Sequence, residues 1–221
     1  MTRKMNLRTW HRRKRRRPVP RLPPLRLTPY AWAKLLHLRD LGPTEVGGFG
    51  VSARGDLLLV EDVRLVRQQC SEVTVKFDDA SVADHFDSQV DQGRAPEQFA
   101  RIWIHTHPGN CPLPSHTDEA TLDRCFGGVD WAVMFILARD GQKYARLRFN
   151  AGPGGAKLIP VKVDFRRAFQ ASSHAQWQKE YEGNVQVEEW LSPILEADWI
   201  QPDRQATELT LELPEEPDEL H

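Results

Sequence analysis

Between residues 102 and 118 a short apolar strand runs into two histidines one residue apart and is stopped by a proline: Ile102-Trp103-Ile104-His105-Thr106-His107-Pro108. Side chains two apart on a strand project from the same face, so both imidazoles look toward one point. Pro108 has no N–H to give to a ladder, so the chain from Gly109 to Pro114 must leave the sheet as a loop. It returns at Ser115-His116-Thr117-Asp118, where Asp118 falls in the first turn of a helix predicted over Asp118 to Cys125. A carboxylate is favoured there by the helix dipole and held by regular backbone.

The rest of the chain supplies a sheet for this segment to join. Thr28-Pro29 reads as an N-cap followed by proline at the first helical position, and Gly42 reads as the stop of a helix over Tyr30 to Leu41. Glu45 to Ala53 and Leu57 to Gln68 read as strands about a turn at Arg54-Gly55-Asp56, with a third strand over Glu72 to Phe77. Val82, Phe86 and Val90 recur every fourth residue within Asp79 to Gln92, which predicts an amphipathic helix covering one sheet face. Trp131 to Ala138 and Tyr144 to Phe149 read as strands about Asp140-Gly141, Leu158 to Phe165 as a last strand, and Arg166 to Tyr181 as polar helix. Trp103 and Trp131 are expected in the core. There is no internal repeat.

Charge divides the chain. Residues 1–27 hold 11 of the 30 Lys and Arg and no acidic residue, and the run Arg12 to Arg17 is followed by Pro18, Pro20, Pro23 and Pro24. Such a head favours extended, solvated chain and can touch an anionic partner. Residues 196–221 carry nine Asp or Glu against only Arg204, which reads as an acidic disordered tail. Between them we expect one folded domain over 28–165 and a helical extension over 166–195, in which Trp190-Leu191, Ile194-Leu195 and Trp199-Ile200 beyond it form an apolar stretch able to dock. No apolar run approaches the ~20 residues of a membrane span. No secretory pattern follows the basic run, so a soluble, cytoplasmic protein is expected. Cys70, Cys111 and Cys125 form no CxxC pair, which argues against a disulfide framework.

Two His and one carboxylate leave one tetrahedral position of a zinc ion free for water, the pattern of a catalytic rather than a structural site. Taken singly, His105 and His107 fit ordinary strand-end histidines, and Ser115-x-x-Asp118 fits a helix capping box. Together, His105-x-His107-x7-Ser115-x2-Asp118 resembles the complete JAMM motif of the MPN/Mov34 zinc metallopeptidases, including the proline after the second histidine. Glu45-Val46-Gly47-Gly48 resembles that family's upstream glutamate, at the start of the first strand after the first helix; Glu61 and Glu72 are its rivals and lack the glycines. No HExxH is present.

The resemblance covers about Thr28 to Phe165. It implies an α/β, deaminase-like MPN/JAB fold, a mixed β-sheet flanked by helices, with Zn2+ on His105, His107 and Asp118, Glu45 as general base and Ser115 as oxyanion donor. It further implies hydrolysis of an amide bond after the C-terminal tail of a ubiquitin-like or sulfur-carrier protein. Two other classes stay open: a non-catalytic scaffold of the same fold, and a nucleic-acid-associated protein using the basic head. Cys111, in the loop after His107, is either a small apolar filler or a contact to the metal. His116 lies outside the motif and is expected to face solvent.

Overall fold

A computed structural model describes residues 22–188 of the chain; the basic run, the acidic tail and the apolar stretch from Trp190 onward lie outside the described residues. Its first element is a strand, β1 (Leu25–Leu27), where a solvated head is expected. Three residues are too few to register as a periodic pattern behind two prolines, yet Leu25 and Leu27 are fully buried. Helix α1 (Pro29–Asp40) follows, with the Thr28 hydroxyl accepting from the Ala31 amide at 3.1 Å, the cap the sequence predicts. At its other end Leu41, not Gly42, is the cap residue and stays right-handed. Gly42 serves packing instead, because a Cβ there would collide with the Tyr181 hydroxyl.

Strands β2 (Gly47–Ala53) and β3 (Asp56–Arg64) form the expected hairpin. The strand read through to Gln68 breaks after Arg64, and Gln68–Cys70 becomes a separate strand, β4, paired with β5 (Val75–Phe77). Helix α2 (Asp79–Asp91) is capped by Asp78, whose carboxylate accepts from the Ser81 amide at 2.8 Å. Val82 and Phe86 pack against the sheet as their spacing predicts, whereas Val90, in the last turn, is exposed. A short helix α3 (Pro96–Phe99) leads into β6 (Ile102–His107), then α4 (His116–Phe126), β7 (Trp131–Ala138) and β8 (Lys143–Phe149). Trp103 is buried and Trp131 is partly buried against the core.

The predicted strand over Leu158 to Phe165 is two strands, β9 (Gly155–Leu158) and β10 (Val161–Val163), with Pro160 between them. The Ile159 amide donates to Ala145 of β8 at 3.0 Å, while the Pro160 carbonyl accepts from Leu25 of β1 at 2.8 Å. Two consecutive residues thereby bond to strands far apart in the sheet order β10-β1-β3-β2-β6-β7-β8-β9, and this curls the mixed eight-stranded sheet. Residues 166–173 are not helical; α5 (His174–Asn184) begins later and runs into β11 (Val185–Val187), which pairs in parallel with β4 in a second, three-stranded sheet. Among the described residues no helix is long and apolar enough to cross a membrane.

Alternation sorts the central strands. Ile102 and Ile104 of β6, with Val133, Phe135 and Leu137 of β7, pack toward α1. Trp103 faces the other way, with Met134 and Ile136, against Leu122 and Phe126 of α4. His105 and His107 share the face of Trp103, so the histidines look toward the side on which α4 lies.

That same face carries a pH-sensitive residue. His85 of α2 stacks on Phe49 with ring centroids 5.5 Å apart, and its Nε2 is buried without a partner. Burial, aided by Arg64 and Arg94, lowers its pKa from 6.5 to about 4. The unfolded chain therefore takes up the proton first as pH falls, so stability held above the ordinary value is lost between 6.5 and about 4. With screening allowed for, the loss is about 1–2 kcal/mol. His85→Phe should remove it, read as the difference between parent and variant in urea midpoints at both ends of that window, with chelator present.

Candidate metal centre

Strand β6 ends at the site, and its cross-strand partners position everything else. His105 lies opposite Gly47 of β2 and Ile136 of β7, and is fully buried. The Trp103 ring stacks on it with centroids 4.4 Å apart. His107 is half-buried at the strand end, its Nδ1 2.8 Å from the Cys111 carbonyl. A carbonyl can only accept, so the Nδ1 proton belongs there and the Nε2 lone pair is left facing inward. The loop carrying that carbonyl is tied down by the Arg139 amide, which donates to the Gly109 carbonyl at 2.9 Å.

Asp118 enters from the first turn of α4. Its Oδ2 accepts from the Ser115 amide at 2.7 Å and from the Ser115 hydroxyl at 2.8 Å, while its own amide donates back to Ser115 Oγ at 3.2 Å. The capping box is thus real, and the residue it fixes is the same carboxylate that turns toward the histidines. Asp118 Oδ1 lies 3.3 Å from His105 Nε2, and Oδ2 lies 3.7 Å from His107 Nε2. Glu45 is buried just before β2, with Oε1 3.5 Å from His107 Nε2. Glu61 and Glu72 are exposed, and neither joins the cluster.

His105, His107 and Asp118 each offer a ligand atom, all within 4.8 Å of one another, so the three can hold a metal ion. A purely structural cluster would pair its polar atoms, and this one does not. Both nitrogens of His105, Nε2 of His107 and Oε2 of Glu45 are buried with no hydrogen-bond partner. A buried polar atom left without a partner costs about 1–3 kcal/mol, and each neutral imidazole has one lone pair that a cation could take. Two imidazoles and a carboxylate converging on one point suit a cation.

Electrostatics accord with this. Burial pushes the Glu45 carboxyl up to about 8, with His107 opposing and Asp118 adding to the shift. Burial also lowers His105, against the pull of the neighbouring Asp118. For His107 burial lowers and Asp118, the Cys111 carbonyl and Glu45 raise, and the net direction is upward. Burial would raise Asp118, but His105, His107 and the Ser115 amide hold its carboxyl below the usual carboxylate range. The site therefore keeps an ionised ligand beside a carboxyl that can carry a proton near neutral pH.

Two supporting residues went unread in the sequence. Thr106, on the opposite face of β6, accepts the Val46 amide at 3.0 Å through its hydroxyl and donates its own amide to the Val46 carbonyl at 2.9 Å, pinning the residue next to Glu45. Gln68 clamps Gly47, accepting from its amide and donating to its carbonyl, both at 2.8 Å. Gly47 and Gly48 must stay glycine: a Cβ would lie 2.7 Å from Val75 Cγ1 in the first case and 2.6 Å from the Arg64 carbonyl in the second. Cys111 is exposed and meets the site through its backbone carbonyl, and His116 is exposed as expected. Thr106→Val keeps shape but strands the buried Val46 amide, so unfolding in urea should show a loss of about 1–3 kcal/mol.

A scan against protein-family models and a search of curated proteins return no match for this chain.

Proposed function

We propose that the protein is a zinc-dependent metallopeptidase of the JAMM type, built on the MPN/JAB fold, which hydrolyses the amide bond after the C-terminal tail of a ubiquitin-like or sulfur-carrier protein. The observation that carries this reading is the buried, unpaired lone pairs of His105 and His107 converging with Asp118 beside a partnerless Glu45 oxygen. Zinc suits two imidazoles and one carboxylate with a position left open. When bound it supplies a Lewis acid and an acidified water near neutral pH.

The chain's own residues supply the rest. Glu45, placed against His107, takes up a proton on its carboxylate and delivers it to the leaving amine. Ser115 spends its single hydroxyl proton on Asp118 Oδ2; turned away from it, the hydroxyl can donate to the carbonyl oxygen as charge develops there. Asp118 would not be released by that turn, because the Ser115 amide still holds the same oxygen at 2.7 Å.

The deciding experiment measures zinc content and cleavage of a ubiquitin-like fusion on the same samples of parent, Glu45→Gln and His107→Ala protein. Near-stoichiometric zinc in the first two, with cleavage in the parent alone, supports the hydrolase. A parent that takes up no zinc on reconstitution sinks it.

A further inference from the structure

We infer that α5 and β11, beyond the stretch of chain that carries the motif, belong to the centre itself. They hold the Glu45–Val46 segment in place, with Tyr181 and Val185 as positioning residues. On α5, Trp177 and Tyr181 sit four residues apart, which puts them on one stripe of the helix. Trp177 is buried and donates through Nε1 to the Tyr30 hydroxyl at 3.0 Å. Between them Glu180 fixes the register. Its Oε2 lies 2.7 Å from Lys34 Nζ, its Oε1 accepts from the Leu65 amide at 2.9 Å, and Lys34 is 1% exposed with Asp62 as its second partner.

A buried ammonium shared by two carboxylates tolerates little displacement, because shifting either partner leaves charge unpaired in the interior. So anchored, α5 delivers Tyr181 to the space left by the missing side chain of Gly42. Tyr181 and Val185 pack there on the cluster of Leu38, Val46 and Leu65. Val46 is the neighbour of Glu45.

The backbone completes the hold. β11 lies beside β4 with Val187 opposite Cys70, and the Glu188 amide donates to the Cys70 carbonyl at 2.9 Å. Ser71, the residue that follows β4, accepts the Glu45 amide through its carbonyl at 2.9 Å. Without β11, β4 and β5 are a two-stranded ribbon, which is marginal in water. Glu45 is thus fixed through its own amide by the residue directly after a strand that β11 supports, and through its neighbour's side chain by α5. The consequence for turnover rests on the reading of Glu45 as the proton-transfer group; the hold on its backbone does not.

The test compares full-length parent, Tyr181→Ala and Tyr181→Phe by amide hydrogen exchange, zinc content and cleavage of a ubiquitin-like fusion. In Tyr181→Ala the Glu45 and Val46 amides should exchange about tenfold faster while that of Ile136 in β7 keeps its parent rate. Zinc should stay near stoichiometric, and kcat should fall about a hundredfold at unchanged KM. Tyr181→Phe should restore both exchange and kcat. Faster exchange confined to residues 174–184, with Glu45 and Val46 at parent rates, overturns the inference. Should Tyr181→Ala not fold, Val185→Ala makes a smaller cut in the same cluster and is read at the same two amides. A parent that binds zinc but cleaves nothing counts against the hydrolase, and the exchange comparison then decides the positioning alone.

Discussion

Glu45→Gln protein is expected to bind zinc as the parent does and to lose turnover by a factor of about 10²–10⁴. The substitution keeps the size of the side chain and removes only its ability to take a proton. Glu45 is not among the three residues whose ligand atoms converge, and its carboxylate meets the cluster only through His107 at 3.5 Å. Metal uptake should therefore be unaffected, and the effect should fall on kcat. Burial has already raised this carboxyl to about 8, so it holds a proton at neutral pH in the metal-free protein; a dication in the cluster favours the ionised form and readies it to accept one. The amide of Gln removes this exchange at every pH. Parent-like cleavage by Glu45→Gln would move the base elsewhere, and with it the reason for a partnerless carboxylate oxygen at this depth. Loss of zinc along with activity would instead make Glu45 a ligand, a different chemistry from the one proposed.

The cluster of His105, His107 and Asp118 that can hold a metal ion was legible in the sequence because its geometry is mostly local. His105 and His107 share a face by strand periodicity, and Ser115 and Asp118 are bound to each other by the pattern that begins a helix. Glu45 lies far from them in sequence and is singled out only by the family resemblance, the glycines separating it from Glu61 and Glu72; the structure gives those glycines a cause, since Val75 crowds Gly47 and the Arg64 carbonyl crowds Gly48. What stayed unread acts across long separations without a pattern of its own. Gln68 reaches Gly47, Thr106 reaches Val46, and neither residue type is distinctive on a strand.

The fold divides in the same way. The α/β order of helix, meander, strand and helix follows from periodicities of many residues. β1 and β11 are three residues each and are stabilised by the strands beside them, β10 and β3 in one case and β4 in the other. Pro160 was a readable signal: a proline in the middle of a strand argues against one continuous strand, and the chain changes partners there. Val90 kept the four-residue spacing but lies where α2 has run past the sheet, so periodicity alone overstated the buried stripe.

Zinc should also register as folding stability, because a ligand that binds the native state alone stabilises it by mass action. With free zinc at about a thousandfold its dissociation constant the gain is about 4 kcal/mol, which for a chain of this size raises Tm by about 8–16 °C over the chelator-treated protein. The source of the gain is specific: one buried lone pair on each of His105 and His107 has no partner without the ion and would gain one with it. Glu45→Gln should keep the whole shift and His107→Ala should lose it, which separates binding from proton transfer without any substrate. Asp118→Ala should lose it as well. That variant should also be less stable than the parent in chelator, by about 1–2 kcal/mol, because the Ser115 amide and hydroxyl at the start of α4 lose their common acceptor. Imidazoles bind metal only when neutral, so the zinc-dependent part must shrink as pH falls. A parent that melts at one temperature with and without zinc, at neutral pH, would mean that the unpaired atoms are not a metal site, and the hydrolase reading would fall with it.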